Sequence, residues 1–216
     1  MRRQDIWIDF GLSGLTKWFA APWVGEVTPE ELLSEAANWG DGAYAPTLLQ
    51  DASRLLGSQL PTPVIDRLWC AAIGLPYDPA AVPVDGRAWL DEIVRICAAR
   101  IRRDEPSFTP APPEPITGGP SRDAVLEEIR EAEPSMLNAV EAAGHPGGSE
   151  AVAALRRVVV EVDPDLGFRL FLRVLKAYRV PITESRYLRY HELGEDFGYH
   201  ELVVDDGTLQ SVPCTD

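Results

Sequence analysis

Proline and glycine set the grain of this chain. With 19 prolines and 17 glycines among 216 residues, no apolar pattern runs far before it meets a residue that lacks an N–H or frees the backbone. The predicted elements are therefore short helices, opened by proline and closed by glycine or the next proline. Thr28-Pro29-Glu30-Glu31 carries an S/T-x-x-E capping box and predicts a helix to about Asn38, ahead of Gly40-Asp41-Gly42. Pro46 opens a second, through Leu48, Leu49, Ala52, Leu55 and Leu56, stopped by Gly57. Pro61-Thr62-Pro63 opens a third, through Ile65, Leu68, Trp69 and Ile73, stopped by Gly74. Short helices joined by brief loops imply antiparallel packing.

After a Pro-rich connection from Asp78 to Gly86, helical spacing returns over Arg87 to Arg103. Trp89, Ile93, Ile96, Cys97 and Ile101 share a face that Leu90 and Val94 widen, as suits a core helix. Arg100, Arg102 and Arg103 fall in its last turn, where cations complement the helix dipole. Six prolines between Glu105 and Pro120 forbid a regular element there. That segment divides the chain into helical halves at 1–104 and 121–216, with 105–120 as linker or wrapping loop. A PxxP recognition role is set aside.

In the second half Ser121 is the expected cap of an acidic helix through Val125, Leu126 and Ile129, broken at Pro134 and followed by a short helix to Ala143. Gly144-His145-Pro146-Gly147-Gly148 reads as a stop, with His145 solvated. Ser149 then caps a segment through Val152, Leu155 and Val158-Val159-Val160, which its Ala-rich lead-in and charges place as helix rather than strand. Asp163-Pro164 opens the most apolar helix, with Leu166, Leu170, Phe171, Val174, Leu175 and Tyr178 on one face and Arg169, Arg173 and Lys176 on the expected wet side. Pro181 ends it, and Thr183 caps a helix carrying Tyr187, Tyr190, Gly194 and Phe197. Ile6, Ile8 and Phe10 alternate like a short strand, residues 11–23 are unassigned, and Asp206-Gly207 predicts a terminal hairpin beside that strand. The expected fold is mainly α, a multi-helix bundle of short antiparallel helices in two halves, with a small terminal β element.

The net charge of −14 argues against nucleic acid and anionic membrane as partners and favours a basic protein. Only Lys17 and Lys176 are lysines among 20 basic residues, an arginine bias that suggests a GC-rich bacterial source. No signal-peptide core follows Met1-Arg2-Arg3, and no apolar run approaches the ~20 residues of a membrane span, so a cytoplasmic location is expected. Cys70 and Cys97 are expected as buried thiols and Cys214 as an exposed one.

No catalytic pattern emerges. His191-Glu192 begins like H-E-x-x-H, but Glu195 stands where the second histidine belongs. A His191/Glu195/His200 metal site is geometrically conceivable, and no metal or other cofactor is expected. There is no G-x-S-x-G, and Gly11-Leu12-Ser13-Gly14 lacks the lysine of a phosphate loop. The chain is read as a non-enzyme. After Arg189 no Lys or Arg occurs, while acids accumulate among aromatics. Residues up to Glu105 hold fifteen acids against ten bases, and those after it nineteen against ten. The expected partner-binding residues are Tyr190, Glu192, Glu195, Asp196, Phe197, Tyr199, Glu201, Asp205 and Asp206, with aromatics as anchors and carboxylates for steering. An immunity-type inhibitor of a basic toxin is the concrete form of that reading. A helical scaffold or regulatory module is the alternative, and an enzyme of unrecognised type the third.

Overall fold

The computed structural model describes residues 8–20, 27–75, 85–111 and 120–212. The described residues form a mainly α fold of short helices. In chain order these are α1 (Gly11–Phe19), α2 (Pro29–Asn38), α3 (Ala45–Gly57), α4 (Thr62–Ile73), α5 (Gly86–Asp104), α6 (Pro120–Ala142), α7 (Gly148–Glu161) and α8 (Pro164–Ala177). Strand β1 (Pro181–Thr183), α9 (Glu184–Asp196), α10 (Glu201–Val204) and strand β2 (Gln210–Val212) follow.

Several helix starts are built as their residues dictate. Thr28 accepts from the Glu31 amide while the Glu31 carboxylate accepts from the Thr28 amide, completing the capping box of α2. Asp163 caps α8 by accepting from Leu166 N at 2.9 Å, and Thr183 caps α9. Gly74 ends α4 in the left-handed conformation that relieves a helix C-terminus.

Local signals mislead elsewhere. Pro134 does not break its helix: α6 runs unbroken from Pro120 to Ala142. The ring lies on the exposed side, while Ala132, Met136 and Val140 carry one buried face past it. The carbonyl that loses its amide donor can then turn to water, so packing outweighs the proline. Ser121 lies inside α6, and Ser149 inside α7, whose cap position is Gly147. The unassigned stretch after Phe10 contains α1. Residues 8–10 precede it without strand pairing, and Ile6 and Trp7 lie outside the described residues, as do 76–84, 112–119 and Cys214. Asp206-Gly207 makes no hairpin. Asp205 Oδ1 instead accepts from the amides of Gly207, Thr208 and Leu209, and the turn delivers β2 to a parallel pairing with β1, Ile182 beside Ser211.

Helix α8 is the axis of the molecule. Every residue from Pro164 to Lys176 is buried, with α1, α4, α6 and α7 packed around it. At Gly167 a β-carbon would sit 2.4 Å from Val159 Cγ2, so glycine there lets α7 and α8 approach closely. One apolar cluster joins residues from both sides of the Pro-rich segment, including Leu15, Leu48, Leu68, Ile93, Ile129, Leu155 and Phe171. Among the described residues no helix is long and apolar enough to cross a membrane.

Candidate partner-binding face and the charged core

The expected wet side of α8 is its most conspicuous correction. Arg169, Arg173 and Lys176 recur at i, i+4 and i+7, so they share a helix face, but that face is covered. Arg169 is 2% exposed, Arg173 8% and Lys176 6%. Burying such groups is costly unless they are paired and hydrogen-bonded, and the structure supplies partners from distant parts of the chain.

Arg169 meets Asp51 of α3 through two parallel bonds, Nη1 to Oδ2 at 2.8 Å and Nη2 to Oδ1 at 2.9 Å. Its Nη2 also reaches Asp165 at 3.0 Å, and Nη1 donates to the Phe10 carbonyl at 2.9 Å. The guanidinium lies 4.5 Å from the Phe10 ring centroid, adding a cation–π contact. Burial works against its charge, but Asp51 and then Asp165 outweigh that and hold the proton more firmly than in free arginine. Gly11 is a geometric requirement of this meeting. Its φ is +62°, and a β-carbon would strike the Asp51 carboxylate 2.0 Å away. Leu12 N donates to the same carboxylate, Ser13 and Tyr44 tie down Asp9, and Tyr199 donates to Asp165 at 2.6 Å. Burial, then Asp9, pushes the Tyr44 phenol well up.

Further along α8, Arg173 Nε donates to the Ala72 carbonyl at 3.0 Å. Lys176 Nζ donates to the Val203 carbonyl at 3.2 Å and stands 3.6 Å from Asp206. Lys17 of α1 also donates to Asp206. Burial opposes the charge of Asp206, but Lys176, then hydrogen bonds from Lys17 and Thr208, hold its carboxyl well below the usual range.

The nine predicted partner-binding residues therefore separate. Tyr190 is fully buried, edge-on to Phe168 and Phe171. Tyr199 is buried on Phe168, and Phe197, partly buried, stacks on the same ring. Tyr190 and Tyr199 serve the core and are not surface anchors. Asp205 closes a turn and Asp206 is held by the two lysines, so neither offers an unengaged carboxylate. Glu192, Glu195, Asp196 and Glu201 remain exposed. Glu192 pairs with Arg189 at 2.9 Å, while Glu195, Asp196 and Glu201 have no ion-pair partner among the described residues.

The outward stripe of α9 has its own apolar centre, which aromatic spacing did not reveal. Leu188 is 57% exposed and shares a face with Glu192 and Glu195 at i, i+4 and i+7. Leu202 of the adjoining α10 is also exposed. On the other flank, Arg186 pairs with Glu131 of α6, while Arg189 stands between Glu128 of α6 at 3.8 Å and Glu192 of its own helix at 2.9 Å. Desolvation raises the Glu128 carboxyl.

The histidines have other duties. His191 lies against Tyr187, ring centroids 4.7 Å apart. His200 caps α10, its Nδ1 accepting from Leu202 N. His145 is half-buried with Nδ1 3.1 Å from Tyr178 Oη, so it is not the solvated loop residue its Gly-Pro setting implies. Among the described residues no cluster of His, Cys, Asp and Glu has a metal-binding arrangement. Cys97 is buried, which pushes its thiol up to about 12, and Cys70 is half-buried and raised by burial, then Asp66. Neither has the electropositive, exposed setting that activates a thiolate. Comparison with family models, curated proteins and solved structures returns no match.

Proposed function

We propose that this chain is a protein-binding module whose outward α9–α10 face docks a basic protein. The observation that carries this reading is the arrangement around Leu188. An exposed leucine lies on the stripe of Glu192 and Glu195, with Asp196 beside it; Arg186 of the same helix pairs with α6, and although Arg189 bonds Glu192, Glu195 and Asp196 have no ion-pair partner among the described residues. Exposed apolar area supplies affinity on desolvation, while unpaired carboxylates attract and orient a cationic partner. The excess of 34 acids over 20 bases extends that field beyond the face itself. An immunity-type inhibitor of a basic toxin is the concrete form, with carboxylates standing where the toxin would otherwise bind phosphate.

The test is paired capture. Wild type and the Glu192→Ala/Glu195→Ala/Asp196→Ala variant are immobilised, a captured protein of basic pI is identified and purified, and its Kd is measured at low and high salt. Wild-type affinity should fall at least tenfold between about 50 and 500 mM salt, and by a similar factor in the triple variant at low salt. Leu188→Asp should weaken binding at both salt levels. Equal affinity of wild type and triple variant at low salt overturns the reading.

A further inference from the structure

Glu128 is a carboxylate short of partners. It lies where α9 packs on α6, and its side chain is only 13% exposed. Among the described residues it accepts no hydrogen bond, and its one ion-pair partner stands 3.8 Å away. The other acids of this seam are better served. Glu127 is taken by Arg130, and Glu131 by Arg130 and Arg186. Burial pushes the Glu128 carboxyl up, opposed by Arg186 and Arg189 and aided by Glu127 and Glu131. Of the titratable groups on α9, the Tyr190 phenol is the third on this side.

The neighbour at 3.8 Å is Arg189, and it is shared. Its Nε lies that far from Glu128 Oε1, while its Nη1 donates to Glu192 Oε2 at 2.9 Å. The two acids differ in setting, since Glu192 is 64% exposed. A surface pair is weak and readily exchanged, whereas a pair withdrawn from water is stronger. What holds Arg189 off Glu128 is its bond to Glu192 and the water around a guanidinium that is 42% exposed. A shift of about 1 Å would bring the guanidinium into hydrogen-bond range of Glu128.

Glu192 is also part of the docking stripe, so Arg189 and an arriving cation compete for the same oxygens. We infer that Arg189 is an internal competitor of the basic partner, and that Glu128 receives it when the partner docks. This rests on the α9 stripe being the docking face. The partner's cation takes Glu192, the guanidinium moves onto Glu128, and an enclosed carboxylate gains the bond it lacks in the free chain. Apolar contact at Leu188 helps to drive the exchange. Glu128 is thus a positioning residue, acting on affinity through Arg189 without touching the partner.

Every arm of the test uses the full chain. Carboxyl titration by NMR needs no partner. In Glu192→Gln, which frees Arg189, Glu128 should titrate about one pH unit lower than in wild type, and the fall should vanish in Arg189→Gln/Glu192→Gln. An unchanged titration, or the same fall in the double variant, overturns the exchange. The docking arm uses a tetra-arginine peptide at low salt, followed at the Leu188 methyl groups. Glu128→Gln should weaken its binding about threefold or more while Arg189 is present, and leave it unchanged in the Arg189→Gln background. Equal weakening in both backgrounds overturns the role of Glu128 in docking. Absence of any binding to wild type removes the docking reading itself, and the titration still decides whether Arg189 changes partner.

Discussion

Helices α8 and α9 each carry a stripe at i, i+4 and i+7, three cations on α8 and a leucine with two carboxylates on α9, and their environments are opposite. On α8 the stripe Arg169, Arg173 and Lys176 is enclosed, and its partners Asp51 and Asp206 come from elsewhere in the chain. On α9 the stripe Leu188, Glu192 and Glu195 faces solvent. Spacing alone is the same in both. What separates them is whether counter-charges from other elements are on hand to compensate for lost hydration. In α8 charge specifies which helices pack together; in α9 Glu192 and Glu195 stay at the surface, where the proposed partner would meet them.

Arg169→Ala is the strongest way to break that contrast. It leaves Asp51 and Asp165 buried beside each other without their guanidinium, and should cost about 3–5 kcal/mol in denaturant unfolding. A loss under about 1 kcal/mol would mean the pairs on α8 matter no more than surface ones.

Asp206→Asn comes next, at about 1.5–3 kcal/mol near neutral pH, since it removes charge-assisted hydrogen bonds at a partly buried position. The pH dependence has a definite sign. Because the folded carboxyl is held below its unfolded value of about 3.9, its contribution is fully present above that value and is lost as pH falls toward the folded value. The stability gap between wild type and variant should therefore be flat from about pH 8 to 5 and narrow below about pH 4. A gap that widens in acid would show that the lysines are not what stabilises the carboxylate.

The smallest expected effect sharpens the other side of the comparison. Glu192→Ala/Glu195→Ala/Asp196→Ala should change unfolding free energy by no more than about 0.5 kcal/mol, because exposed carboxylates contribute little to folding. A loss of several kcal/mol would make the α9 stripe structural and remove the reason to assign it to a partner.

What could be read in advance follows the range of the interactions. Thr28 and Glu31, Asp163 and Thr183 act within a few residues, so their caps are visible in sequence and present in the fold. Pro134 was misleading because helix continuation there depends on Ala132, Met136 and Val140 meeting other elements. Arg169 reads as a solvent-side residue for the same reason: its partner Asp51 lies 118 positions earlier. Tyr190 and Tyr199 read as surface residues because acids surround them in sequence, whereas Tyr190 lies on the inward face of α9 and Tyr199, between α9 and α10, packs on Phe168 and donates to Asp165. The exposure of Glu192, Glu195, Asp196 and Glu201 is legible from their charge. That of Leu188 is not, since a lone leucine among charges resembles any core position until its exposure is known.

The Arg169–Asp51 pair also has a consequence for synthesis. The ribosome makes Asp51 and the Phe10 carbonyl long before the guanidinium they share, which follows 118 and 159 residues later. The nascent N-terminal helices thus wait with a carboxylate that has no place in a closed core, and Lys176 waits in turn for Asp206. Such distant closures come late and slowly. The early helices would remain loosely associated while translation proceeds, and the core would lock only after α8 has emerged.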